Sequence, residues 1–168
     1  MIKIVPYNNT WPTMFDAEKR LLHSVIGEWV CGSIEHVGST SVVGLSAKPV
    51  IDVMVGVKSL DESKPAIDVL VQKGYNYYPY KTEVMHWFCK PSPEFRTHHL
   101  HLVPYNSALW FERIQFRDHL RENPQVAEEY AALKHKLAAN YADDRERYTE
   151  NKWPFIQSVL QSVNHNAV

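Results

Sequence analysis

Apolar and polar positions recur along this chain with two different periods, and the changes of period mark out its elements. From Trp11 to Ile26 the period is helical. Phe15, Leu21, Leu22, Val25 and Ile26 fall near one face, with Asp16, Glu18, Lys19 and Arg20 outside it. Pro12 suits the first turn, where a missing N–H costs nothing, and Gly27 and Gly32 punctuate the passage to the next element. Ser33 to Val37 reads as a short strand ending in the turn Gly38-Ser39-Thr40-Ser41. The run "VIDVMVGV", Val50 to Val57, is β-branched like a buried strand; alternation sends Val50, Asp52 and Met54 to one face and Ile51, Val53 and Val55 to the other. Leu60 to Lys73 is an amphipathic helix closed by Gly74. "YNYYPY", "VMHWFCK" and "THHLHLV" are aromatic and β-branched strands, with a turn at "PSPEF". Beyond them Asn106-Ser107 caps one helix and Asn123-Pro124 starts another, with Glu128 and Glu129 in its early turns. "DDRERYTENKWPFIQSVLQSV" predicts a last helix, kinked or restarted at Pro154, with Trp153 and Phe155 in the core.

The resulting order, α-β-β-α-β-β-β-α-α-α, predicts an α/β (α+β) fold: a sheet flanked by helices, with a helical C-terminal segment. No repeat, low-complexity tract or linker interrupts it, so residues 1–168 read as one domain with a core over about 5–162. Lysine plus arginine (18) nearly balances aspartate plus glutamate (19), which gives no strong nucleic-acid signal. Cys31 and Cys89 are too few for a disulfide framework. With no apolar leader and no run of membrane-spanning length, the expectation is a cytoplasmic protein without a membrane partner.

Three stretches carry candidate chemistry. In the first, Gly38 allows close backbone approach, and Ser39, Thr40 and Ser41 offer hydroxyls beside amide donors. That suits a phosphate, although a solvated loop has the same composition. Lys48 stands shortly before Asp52 and has the charge to neutralise such a phosphate; the restrictive Lys-Pro dipeptide equally describes a surface lysine. Asp52 lies inside an apolar strand and needs a cation, a metal or a donor to offset desolvation. Structural pairing with Lys48 or Arg96 competes with a functional role. In the second stretch, "RTHHLHLVP", His99 and His101 point to one face and His98, Leu100 and Leu102 to the other. Two such imidazoles can share a metal, or divide base and phosphate-binding roles, or simply hydrogen-bond on a half-buried strand. A histidine-triad hydrolase would need a third histidine where Val103 stands. The third stretch places Tyr148 and Lys152 at i, i+4 on one helical face, able to meet a polyanion or to be an exposed pair.

Taken in order, "HVGSTSV.GL.AKP.ID..V", "R.HHLH.V", "FRD.L...P..A.EY..LK..LA" and "YT..K..FI" resemble the GrpB, or UPF0157, family, from "VPYNNTWPTMF" to about Leu160. The family is similar in its core to the nucleotidyltransferase superfamily of polymerase-beta type, and related domains occur fused to dephospho-CoA kinase. The resemblance implies a nucleotidyltransferase-like mixed sheet. It matches Gly38 and Ser39 to the superfamily's Gly-Ser turn and Asp52 to its first strand acid, after a spacer of 12 residues. Met54 departs from the pattern at the second acid, and His99 or His101 occupies the place of a third.

The expected function is therefore that of a nucleotidyltransferase-like protein binding a nucleotide or phosphorylated small molecule, with transfer of a nucleotidyl group in question because of Met54. Asp52, His99 and His101 are the expected catalytic or metal-binding cluster, with Mg, Mn or Zn as the cofactor. Gly38, Ser39, Thr40, Ser41, Lys48, Arg96 and Lys152 are the expected phosphate ligands. Two alternatives stand beside this reading: a degenerate binding module of coenzyme A metabolism, favoured by Met54, and a transition-metal phosphoester hydrolase using the Asp/His cluster.

Overall fold

A computed structural model describes residues 1–166. Its ten main elements follow the predicted order: α1 (Trp11–Ile26), β1 (Val30–Val37), β2 (Ile51–Val57), α2 (Lys64–Gln72), β3 (Asn76–Tyr78), β4 (His86–Pro91), β5 (Arg96–Pro104), α3 (Ala108–Glu122), α4 (Pro124–Asn140) and α5 (Arg145–Asn166). The strands form one sheet in the order β1-β2-β5-β4-β3. The central pair β2 and β5 is parallel and every other pair antiparallel, so the expected mixed sheet is present. The parallel pair requires a long crossover, which α2, β3 and β4 provide.

On one face α1 and α2 cover the sheet. Ile51, Val53, Val55 and Val57 of β2 and Leu100 and Leu102 of β5 pack there against Leu22, Ile26, Ala66 and Leu70. This is the face that strand alternation assigns to them. The opposite face carries Asp52, Met54, His99 and His101 and lies toward the C-terminal helices; Met54 packs with Val37, Met85, Val103 and Trp110. Among the described residues no helix is long and apolar enough to cross a membrane.

Element boundaries differ where local geometry outweighs pattern. β1 begins at Val30 rather than Ser33, because a register shift between Val30 and Ile34, with Gly32 at φ +80°, carries the strand through an irregularity. α2 begins only at Lys64, after a turn, and Gly74 at φ +98° closes it as expected. α5 is not restarted at Pro154 but runs through it. Trp153, expected in the core, is exposed, whereas Phe155 packs as expected against Tyr130.

The faces of α1 also need correction. Leu21 is exposed, and Glu18, assigned to the polar side, is only 6% exposed. Glu18 falls in the stripe Trp11-Phe15-Glu18-Leu22, and partners far away in sequence make its burial tolerable. Its Oε1 accepts from the Tyr75 hydroxyl and, at 2.6 Å, from the Lys90 ammonium, while His98 Nε2 lies 3.6 Å from Oε2. Replacing Glu18 by Ala strands the Lys90 charge and the Tyr75 hydroxyl. The expected loss is about 3–5 kcal/mol of folding stability, measured by urea denaturation.

Candidate functional site

The turn after β1 and the acid of β2 are joined by a contact that only glycine permits. Gly38 adopts φ +73° and ψ −178°, a region essentially closed to side chains. A Cβ on it would lie 2.3 Å from Asp52 Oδ2. Ser39 to Ser41 then form a single 3-10 turn rather than an α-helical start. Within that turn the hydroxyls divide. Thr40 is buried; its hydroxyl donates to the Val50 carbonyl at 3.0 Å and receives the N–H of His36 Nε2 at 2.9 Å. Ser41 donates back to the Gly38 carbonyl. Thr40 and Ser41 therefore hold the turn together and do not offer their hydroxyls to a ligand, contrary to expectation. Ser39 remains, and its side chain lies close enough to the Tyr130 phenol to bias its titration.

Parallel pairing of β2 with β5 sets Asp52 beside His99 and Met54 beside His101. His99 Nδ1 lies 3.1 Å from Asp52 Oδ1, a hydrogen bond, while His101 Nε2 at 3.6 Å is in contact but too distant for one. Burial works against ionisation of Asp52, but the neighbouring imidazoles of His101 and His99 outweigh it and hold the carboxyl well below the usual carboxylate range. About a quarter of its side chain, 24%, is still exposed. An ionised Asp52 accepts only, so His99 Nδ1 carries the proton and Nε2 is left as its basic nitrogen. Burial, reinforced by Arg113, pushes His101 down to about 4, which keeps it neutral. Neither Lys48 nor Arg96 forms an ion pair with Asp52 among the described residues, so the structural pairing weighed as an alternative does not occur.

Facing these groups are cations from three separate parts of the chain. Lys48 precedes β2, Lys134 lies on α4 and Lys152 on α5. The Lys48 and Lys152 ammoniums sit over the Tyr148 ring at 5.4 and 4.8 Å, and that of Lys134 sits over the Tyr130 ring at 4.8 Å. Lys134 is 2% exposed and donates to the Ser46 carbonyl at 2.6 Å. Burial, then the charges of Lys152 and Lys48, push Lys134 down to about 7; burial and Lys48 push Lys152 down to about 8. Arg113 of α3 is lowered by its burial and steadied by Asp52. Arg96 stands at the rim, its guanidinium 5.3 Å from the Trp87 ring centroid. Among the described residues, five buried side-chain polar atoms lack a hydrogen-bond partner. Four belong to this cluster: His99 Nε2, both ring nitrogens of His101 and the Tyr148 hydroxyl. A folded protein seldom strands such groups together unless a water, an ion or a ligand meets them.

The structure thus gathers Gly38, Ser39, Lys48, Asp52, His99, His101 and Lys152 and leaves Arg96 at the edge. Arg113, Tyr130 and Lys134 were not candidates from sequence. Tyr130 and Lys134 repeat the i, i+4 spacing of Tyr148 and Lys152, which is the one signal that pointed to them. A pair of magnesium ions needs several carboxylate oxygens, and this site supplies one carboxylate, with Met54 at the alternate position and no acid in Thr97 to Val103. One carboxylate and two imidazoles are closer in kind to a zinc or manganese donor set. Among the described residues, however, no group of three or more His, Cys, Asp or Glu side chains is arranged to hold an ion.

A family profile described as "GrpB protein" matches residues 1–162. The chain is 39% identical over 165 residues to the glutamate-rich protein GrpB of Alkalihalophilus pseudofirmus, covering 95% of this chain and 94% of that one. It is 25% identical to the dephospho-CoA kinase of Mycobacterium tuberculosis over 95% of its own length but only 45% of the kinase. The crystal structure of GrpB from Enterococcus faecalis superposes with a TM-score of 0.85 at 29% identity, covering 96% of this chain and 99% of that one. The Cid1 poly(U) polymerase, in a form bound to magnesium and 3′-dATP, superposes at 0.57 with 10% identity, over 88% of this chain and 49% of the polymerase. The last likeness is one of fold.

Gly38→Ala tests the dependence of the site on the glycine. The backbone conformation alone costs about 1–3 kcal/mol for a side chain, and the clash with Asp52 adds to it. Chemical denaturation is expected to show a loss at or above that range, whereas Ser39→Ala leaves stability nearly unchanged.

Proposed function

The chain belongs to the GrpB family, whose fold it shares with nucleotidyltransferases, and on that premise we propose that its cleft binds the oligophosphate of a nucleotide or of another phosphorylated small molecule. One observation carries the reading: Lys48, Lys134 and Lys152 converge around Tyr130 and Tyr148, with Arg113 beyond them, and Asp52 is the single carboxylate among them. Like charges crowded in a low-dielectric space repel, and a multiply charged anion relieves that repulsion. The Tyr148 hydroxyl, pushed up to about 12 by burial, stays protonated as a further donor.

In a transfer reaction under this reading, His99 Nε2 takes the proton of an acceptor hydroxyl. Asp52 fixes its tautomer and stabilises the imidazolium that forms. The acceptor oxygen attacks the α-phosphorus in line, and the lysines take up the charge of the departing pyrophosphate. Binding does not depend on this step, and Met54 in place of an acid favours a protein that binds without turnover. The similarity to a dephospho-CoA kinase makes coenzyme A precursors worth including among the ligands.

A second reading rests on the unpartnered imidazole nitrogens of His99 and His101, which suit a transition-metal phosphoesterase. Elemental analysis separates the two. Stoichiometric zinc or manganese that disappears in His99→Ala and His101→Ala carries the hydrolase, and protein purified free of metal leaves the binding site.

Calorimetry with ATP, dephospho-CoA and inorganic tripolyphosphate in the presence of EDTA tests the leading reading. Binding is expected without added magnesium, and Lys134→Met and Lys152→Met are each expected to weaken it by about tenfold, or 1.4 kcal/mol. Unchanged affinity in both variants removes the proposal. The pH dependence has a defined sign. Folded Lys134 titrates near 7 and unfolded lysine near about 10.4, so between them the unfolded chain binds the extra proton. The free protein therefore gains stability as pH rises above 7. Affinity for the anion falls over the same interval as Lys134 and Lys152 lose their charge, and Lys134→Met flattens both profiles.

A further inference from the structure

The face of the sheet that carries Asp52 and His101 continues past them to the sheet edge as a row of aromatic rings. Trp87 on β4 is the cross-strand partner of His101, and Tyr78 on β3 is the partner of Trp87, so all three project from the same face. The Trp87 ring lies 5.2 Å from that of His99. Tyr78 and Tyr80 meet Trp87 edge-on at 5.9 and 6.4 Å, and the Arg96 guanidinium lies over its ring at 5.3 Å. Tyr78 is 42% exposed and Tyr80 49%. His99, whose ring meets Trp87, is hydrogen-bonded to Asp52 at 3.1 Å, so the row borders the candidate site rather than an unrelated part of the surface.

We propose that Tyr78, Tyr80, Trp87 and Arg96 form a stacking subsite for the base of a free nucleotide whose phosphates lie on the lysines. This rests on the phosphate-binding reading above. An exposed aromatic row flanked by a guanidinium matches a planar, electron-rich heterocycle, which stacks on tyrosine, tryptophan and arginine planes alike. The row is also continuous with the cationic cleft. A ligand that is apolar and flat at one end and polyanionic at the other meets both halves, whereas inorganic phosphate or a sugar phosphate leaves the rings in water. His99 stands between the two halves, its ring 5.2 Å from that of Trp87 and its Nδ1 on Asp52.

Calorimetric titration of the full chain with ATP and with inorganic tripolyphosphate tests the subsite. ATP is expected to bind the unaltered protein more tightly than tripolyphosphate. The double variant Tyr78→Ala/Tyr80→Ala, made at exposed positions that the fold tolerates, weakens ATP by about tenfold and tripolyphosphate by less than about twofold. Tyr80→Phe, which keeps the ring, retains ATP affinity. If ATP binds no better than tripolyphosphate, or the double variant affects both alike, the stacking subsite falls and the phosphate site stands. If neither ligand binds the unaltered protein, the phosphate site falls and takes the subsite with it. A short oligoadenylate that binds more tightly than ATP through the same tyrosines assigns the row to a nucleic-acid strand and overturns the free-nucleotide proposal.

Discussion

The site is built on one backbone constraint, the parallel register of β2 against β5, closed from above by Gly38. The register puts Asp52 opposite His99 and Met54 opposite His101. The glycine lets the turn press on the carboxylate to a distance no other residue allows. Everything around it reinforces that arrangement. Thr40 ties the turn to the Val50 carbonyl and His36, and Arg117 binds the His36 carbonyl at 3.1 Å and Glu35 at 3.1 Å. Arg121 reaches the Ser41 carbonyl and Lys134 the Ser46 carbonyl, so α3 and α4 are fastened to the loop that carries the turn. The Thr40 and Ser41 hydroxyls, which the sequence offered as phosphate ligands, thus help to hold the turn in place.

The two faces of the sheet show what a satisfied polar cluster looks like beside an unsatisfied one. His98 and His99 are neighbours in sequence and point in opposite directions. His98 meets Thr97 at 2.8 Å and lies near Glu18, which also takes Lys90 and Tyr75, so charge and hydrogen-bonding capacity are matched within the protein. Among the described residues, His99 and His101 meet one carboxylate, leave three ring nitrogens without partners and look toward lysines with no ion-pair partner. Buried polar groups are ordinarily paired. The first cluster is architecture by that standard, and the second leaves its ring nitrogens without partners among the described residues.

Met54 acquires a physical meaning in this setting. A second carboxylate there would add negative charge beside Asp52 and serve as an internal counter-ion for Arg113 and the lysines. A thioether, packed with Val37 and Trp110, adds no charge there and leaves Asp52 as the acid that faces Arg113 and the lysines.

The order of the elements and the sheet faces of β2 and β5 were legible in the chain, because strand alternation, capping residues and glycine punctuation are local properties, and the family was legible as a resemblance of several motif blocks in order. Asp52, His99 and His101 were legible for the same reason, as chemistry out of place on apolar strands. What lay beyond reach depended on groups distant in sequence meeting in space. Glu18 looked like a surface residue until Lys90 and Tyr75 arrived beside it, and Thr40 and Ser41 looked like ligand groups until the backbone claimed their hydroxyls. Lys134 and Arg113 were two more charged residues on polar helices until α3, α4 and α5 folded over the sheet. Local pattern determined where the site begins, and only tertiary packing, by bringing three helices' cations around one carboxylate, decided its charge.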